Sequence, residues 1–378
     1  MSMLWMAPSP VLTEITSDLN ITLAQSGIFL SVICLIFSAS TFVFNGLGRK
    51  IKPKYIFGAG LILMAAGQGM FFFTRGYADL LFFRSITGIG MGICAPVYAV
   101  LIMENFPKRE RPMVNTVYSA LPYIAEFLSL FAAAPLLAIC GYSWRGMMAA
   151  FGGLVVVITG MYVLCLPKIS STVSEEEEKS EKGLFREVAR NREVRLLLLA
   201  DSCDMWGYNF LSGFLPTFFQ NEIGMSMKEA AHLTAIFPVA GIAAGLLCGA
   251  LMVKVGLRKP FTWPMHLMVF AGTMMLSLCD GPLRIVGIVL AGVGNAGWAP
   301  ALYTMPMEFE GMTPLKTGAA FSFIFGIGYI SAFVSPLVGG WLGDCFSLKT
   351  VLVVNSFVAL LAALATASMK ETGKRTEN

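Results

Sequence analysis

Four charged side chains interrupt stretches that are otherwise apolar: Arg84, Glu126, Asp201 and Asp204. A charge at the centre of a lipid-spanning helix costs ~3 kcal/mol or more, so such residues face a cavity or a partner. A carboxyl in a low-dielectric cavity holds its proton more tightly than in water. It can load and release that proton as its surroundings open to either side. Glu126 lies about twelve residues into its apolar run, near the midplane at ~1.5 Å rise per residue. Asp201 and Asp204 are spaced i, i+3 on one helix face, and Tyr208 extends that face at i+4 from Asp204. Glu126, Asp204 and Asp201 are therefore the candidate proton-coupling residues. Arg84 sits in the outer part of the span next to that of Glu126. It can bind an anionic solute, compete with the proton for Glu126, or form a fixed ion pair with it. In that last case Asp201 is simply a capped or solvated residue near the cytoplasmic end. His232 and His266 titrate near neutral pH when exposed, but they read best as satisfied polar residues.

The elements that must position these groups are membrane helices. Of 378 residues 56% are hydrophobic and only 13% charged, against ~25% charged in an ordinary soluble domain. Lipid must therefore be the solvent. Eleven apolar runs of about 20 residues, the length a span needs, cover 24–44, 55–73, 80–102, 114–139, 147–166, 196–219, 231–253, 261–278, 283–303, 318–342 and 351–369. Of 27 Lys and Arg, five (Arg75, Arg145, Lys228, Arg284, Lys349) fall on one side and Arg84 within a span; the other 21 lie on the opposite side. The positive-inside rule makes the latter side, and the C-terminus, cytoplasmic. The net charge of +4 thus reports topology and gives no sign of nucleic-acid binding. The eight cysteines show no C-x-x-C spacing, so neither a zinc site nor a disulfide framework is expected. No cofactor is implied.

The chain also repeats itself at an offset of 204 residues. Gly88-Ile89-Gly90-Met91-Gly92-Ile93-Cys94-Ala95-Pro96 lies over Gly292-Val293-Gly294-Asn295-Ala296-Gly297-Trp298-Ala299-Pro300, Met103-Glu104 over Met307-Glu308, and Asn20 over Gly224. Two homologous halves of a hydrophobic chain point to a transporter that rocks one half against the other around a central site. The expected division is an N-terminal bundle (1–167), a cytoplasmic linker (168–195) ending in a short amphipathic helix, and a C-terminal bundle (196–378). The same offset places 1–12 over 205–216, the outer part of a full span. The first helix is therefore expected to be truncated, with a misassigned start preferred over a genuine half-helix.

Several motifs, in the right order over nearly the whole chain, resemble those of the major facilitator superfamily. Its loop G-x-L-x-D-R-x-G-R-K is similar to Gly249-Ala250-Leu251-Met252-Val253-Lys254-Val255-Gly256-Leu257-Arg258-Lys259, and the first-half copy around Asn45–Lys54 is more eroded. Val253 and Arg49 stand at the Asp positions, so the family's cytoplasmic latch is not expected in its usual form. Leu80–Gly88, with Arg84, resembles the fourth-span motif, and Asn105–Arg111 the loop after it. Gly141-Tyr142-Ser143-Trp144-Arg145 resembles the start of the sixth span. Ser331-x-x-x-Ser335-Pro336-x-x-Gly339-Gly340 is similar to the family's G-x-x-x-G-P-x-x-G-G signature, here in the eleventh span. The resemblance implies two six-helix bundles with the cavity lined by the first, seventh, fourth and tenth helices. Candidate solute-binding residues are then Arg84, Tyr98, Tyr208, Asn209, Asn295 and Trp298. Candidate gating residues are Gly249, Lys254, Gly256 and Arg258. Gly88, Gly90 and Gly92 follow no strand and serve close helix packing rather than nucleotide binding.

The expected function is secondary active transport of a small organic solute, by resemblance an anion or metabolite of the type carried by cyanate-transporter-like proteins. It would run by alternating access across the cytoplasmic membrane and draw on protons. No G-x-x-x-x-G-K-[ST] loop is present to use ATP, and no H-E-x-x-H or Ser/His arrangement suggests an enzyme. The partners would be the solute, protons and lipid, and a two-half unit can work as a monomer. Export of a cationic or lipophilic compound is the alternative within transport. A transporter-like sensor or non-transporting remnant is the alternative outside it.

Overall fold

A computed structural model describes residues 1–45, 53–105, 111–165, 181–312 and 314–373, with side chains described outside 41–53, 95–120, 165–185, 313–315, 318–319 and 322. The loops around 46–52 and 106–110 and the acidic linker 166–180 lie outside the described residues. All regular structure among the described residues is helical. A first segment comprises α1 (Ser2–Met6), a 3-10 turn (Ser9–Val11) and α2 (Leu12–Leu19). Then come α3 (Leu23–Asn45), α4 (Pro53–Gly69), α5 (Tyr77–Asn105), α6 (Arg111–Ile139) and α7 (Trp144–Cys165). The short α8 (Glu181–Arg190) precedes α9 (Arg192–Asn221), α10 (Met227–Thr234), α11 (Ile236–Val255), α12 (Trp263–Leu278), α13 (Pro282–Gly297), α14 (Ala299–Glu308), α15 (Pro314–Cys345) and α16 (Leu348–Ala367).

Each expected span is helical. Two are broken where proline removes the N–H that would serve the carbonyl four residues back: Pro238 after the α10–α11 junction and Pro300 after the α13–α14 junction. Among the described residues nine stretches are long and apolar enough to cross a membrane. The two long helices outside that set, α5 and α9, carry Arg84 and the pair Asp201 and Asp204. Large apolar side chains such as Leu164 and Ile139 point outward, 87% and 80% exposed, as a lipid-facing belt requires.

The sequence repeat reappears as packing. A Cβ on Gly88 would press on Ile33 and Ile36 of α3, and one on Gly90 on the backbone of Gly60 and Met64 in α4. At the matching positions, Gly292 approaches the Phe237 carbonyl of α11 and Gly294 the backbone of Met265 and Val269 in α12. Asn20 and Gly224 both take left-handed backbone, φ 50° and 78°, one closing α2 and the other in the turn after α9. The Gly141–Arg145 motif ties the first half together. Arg145 meets Asp18 at 2.7 Å and donates to the Thr74 carbonyl at 2.8 Å, while its guanidinium stacks on Trp144.

Candidate functional site

The halves meet along α3 against α15 and α6 against α10 and α11. At the centre of this boundary the Tyr208 hydroxyl donates to Glu126 Oε2 at 2.9 Å. Glu126 is 1% exposed and its Oε1 has no partner. Tyr123, one turn earlier on α6, packs edge-on against the Tyr208 ring at 6.2 Å, and Phe237 of α11 lies on its other side. Gly241 makes room for the Tyr123 ring; a Cβ there would sit 3.3 Å from it.

One turn along α9, a second polar cluster lies wholly within the C-terminal half. Asn295 Nδ2 donates to Asp204 Oδ1 at 3.0 Å. The indole of Trp298 lies beside the same carboxylate and packs at a tilt of 57° against His266, ring centroids 4.7 Å apart. Trp206 Nε1 donates to Asn355 Oδ1 at 2.8 Å, joining α9 to α16. Asp201 is fully buried with both carboxylate oxygens unpartnered, its Oδ2 so close to Gly328 of α15 that a Cβ there would clash with it. It is therefore not solvated at a membrane surface.

Arg84 does not meet Glu126. It is fully buried and donates to the carbonyls of Leu4 and Trp5, each at 2.7 Å, with its guanidinium over Phe29. The cause is local: Pro8 has no N–H for the Leu4 carbonyl, so α1 ends there and leaves acceptors for an arginine. Asn209 turns back to donate to Met205 within its own helix, and Trp298, 1% exposed, belongs to the core. Tyr98 is on α5, its side chain outside the description. The structure thus joins Glu126 with Tyr208, and Asp204 with Asn295 and Trp298. Tyr123 and Asn355 are additions; the i−3 spacing of Tyr123 from Glu126 is a usable signal, whereas Asn355 has none.

Loops and helix ends fix the halves. On the side away from the basic loops, Asp344 at the end of α15 accepts from Leu23 N and Ala24 N at the start of α3, at 2.8 and 2.9 Å. Ser9 donates to the Ser212 and Gly213 carbonyls, and Gln220 to Pro10. That side is therefore fastened shut. At the basic side, Gly256 (φ 74°) closes α11, and a Cβ on Gly249 would merely touch Pro300. Lys254 is in the last turn of α11. Arg258 forks onto Glu308 at 2.8 Å, which pushes its guanidinium further above its ordinary range. Glu371 accepts from Arg258 N and Lys259 N. These contacts all lie within the C-terminal half.

The Major Facilitator Superfamily profile matches residues 1–311. A putative metabolite transport protein of Haemophilus influenzae is 26% identical over 373 residues, covering 94% of this chain and 89% of that protein. A gallate transporter of Pseudomonas putida is 26% identical (84% and 77% covered), and a probable galactarate/D-glucarate transporter of Escherichia coli K12 22% (93% and 87%). Among solved structures, a bacterial homologue of the human lysosomal transporter Spinster, inward-facing and occupied, superposes with a TM-score of 0.84 at 14% identity, covering 97% of this chain and 93% of that one. A point mutant of the nucleoside transporter NupG gives 0.79 at 12% identity, covering 97% and 96%. With two matched helical halves meeting around buried polar side chains, the chain belongs to the major facilitator superfamily.

Proposed function

We propose that the protein is a secondary transporter that carries a small organic anion or metabolite across the cytoplasmic membrane by alternating access, coupled to protons at Glu126 and Asp204. The observation that carries this reading is the Glu126–Tyr208 bond. It joins the two halves at a carboxyl that is both buried and half-satisfied. A buried ionised carboxylate is costly, so closure around Glu126 favours the protonated form. Separation of α6 from α9 admits water and lets the proton go. Asp204 follows the same logic inside the C-terminal half.

The relatives named for gallate, galactarate/D-glucarate, tartrate and 4-hydroxybenzoate support an organic acid as solute. Arg84 is the cation suited to its carboxylate: its Nε is buried without a partner, and a shift of the first segment frees its remaining donors. The basic loops and C-terminus would face the cytoplasm, which makes the fastened side external and the conformation here closed to the outside. Uptake of these four acids into vesicles, with and without an imposed pH gradient, tests the reading. Gradient-driven accumulation of one of them supports it, and gradient-independent equilibration makes the protein a facilitator. Export of a cationic compound that competes with protons for Glu126 would replace the anion assignment.

A further inference from the structure

Asp204 also lines a small cavity enclosed by α9, α12 and α16, away from the boundary between the halves. Its polar lining is Asp204, His266, Thr273, Asn355 and Ser356. Thr273 Oγ1 and His266 Nε2 are buried there without a hydrogen-bond partner, each on a residue 1% exposed. Buried polar atoms are rarely left so. The cavity leaves about 10 Å³ for the centre of a water-sized sphere, the room that one water needs, and a buried water typically takes two to four polar partners. Asp204 Oδ1 accepts from Asn295 and the Trp298 indole lies beside the carboxylate, which still leaves lone pairs for a water among the roughly four that a carboxylate offers. Asn355 accepts from Trp206 and has amide donors to spare.

We propose that this cavity holds a single water molecule linking the Asp204 carboxyl to the His266 imidazole, which makes His266 a further proton-carrying residue. The inference rests on the reading of Asp204 as a proton carrier. In the relay the Asp204 O–H bond breaks as the water oxygen takes the proton. One of the water's own O–H bonds then breaks as His266 Nε2 takes that proton. The water is regenerated, leaving an aspartate anion and an imidazolium whose attraction across the water offsets the cost of burying each, with no oxidant or reductant involved. Thr273 holds the water in line. Of the titratable groups on the packed elements, Cys203 and Asp201 are on α9, the latter turned to Gly328, and Cys248 is on α11. Tyr208 of α9 is bonded to Glu126. Arg192, Glu193 and Arg195 lie in the first turn of α9, Lys254 in the last turn of α11 and Lys349 in the first turn of α16. Lys259 lies at one end of α12, Arg284 with Asp280 lies at the other, and Glu308 of α14 is held by Arg258.

Trp298 provides the readout, because an imidazolium against its ring differs electrostatically from a neutral imidazole. Tryptophan emission of the purified full-length protein is followed against pH in sodium-free buffer and again with added sodium chloride. Proton movement is measured on the same variants in proteoliposomes. The expected result is a pH-dependent emission change that is absent in Trp298→Phe and His266→Gln. Its midpoint moves by about one pH unit, a tenfold change in proton affinity, in Thr273→Val and Asp204→Asn. Thr273→Val keeps the test decisive should His266→Gln fail to fold. Emission identical in wild type, His266→Gln and Thr273→Val overturns the relay; if Asp204→Asn still abolishes proton movement, the reading of Asp204 survives. Unchanged proton movement in Asp204→Asn overturns both. An emission change driven by sodium at fixed pH overturns the relay in favour of a metal-cation site.

Discussion

Tyr208 and Glu126 meet hydroxyl to carboxylate at 2.9 Å across the boundary between the two halves. The bond exists only while α6 and α9 are together, so on the proposed reading the protonation of Glu126 and the position of the halves are linked. Replacing Glu126 with Gln keeps the shape and a hydrogen-bonding group but removes the titration. Proton movement should be lost while exchange of solute down its own gradient persists. Tyr208→Phe removes only the donor; a loss of ~1.4 kcal/mol would lower coupled transport about tenfold. Flux assays on the two variants, with and without a pH gradient, check both statements.

Asp344 acts as a cap supplied by the other half, accepting from two N–H groups that open α3. A cap of this kind contributes ~0.5–2 kcal/mol, enough to shift a two-state equilibrium by up to about thirtyfold. Asp344→Ala should therefore favour the state open on that side, and Asp344→Asn should give a smaller shift. Spin labels at Asn20 and Phe346 would report a growing long-distance population. An unchanged distance distribution would show that the cap does not bias the equilibrium.

Gly27 and Gly340 allow α3 and α15 to touch. A Cβ on either would collide with a backbone carbonyl, that of Pro336 or of Leu23. Overpacking of this sort costs ~1–3 kcal/mol. Gly27→Ala and Gly340→Ala should reduce transport and loosen the same side that Asp344 holds. Gly153→Ala, with open space around it, should leave transport unchanged. Uptake rates of the three variants at matched expression decide the point.

Arg84 supports the break after α1. Arg84→Met leaves the Leu4 and Trp5 carbonyls without their donors, at ~1–3 kcal/mol for each buried group. Thermal unfolding should fall markedly in Arg84→Met and less in Arg84→Lys. Were Arg84 to serve the solute alone, Tm without solute would be unchanged and only the stabilisation by solute would disappear.

The helical architecture is legible in the sequence because spans are set by length and apolarity, which are local properties. The internal repeat is legible for a related reason: Gly88 and Gly90 with Gly292 and Gly294 make equivalent close approaches in each half, so the same small residues are needed at the same offset. The Glu126–Tyr208 contact is legible only as two separate candidates, since nothing in either helix says that they face each other. Arg84 has partners that its surroundings in the sequence do not suggest. A carboxylate is the obvious mate for an arginine, but the Pro8 break supplies carbonyls nearer at hand. The role of Asp344 is not legible, because a cap given to a helix more than three hundred residues away leaves no local pattern.

The central claim, that solute and proton move together through Glu126 and Asp204, is tested most directly by proton movement in proteoliposomes. The purified protein is reconstituted, a pH-sensitive dye is trapped inside, and gallate, galactarate, tartrate or 4-hydroxybenzoate is added outside. A pH change on adding one of these acids is expected, lost in Glu126→Gln and in Asp204→Asn. Solute entry with no pH change, or a pH change that survives both substitutions, would contradict the account.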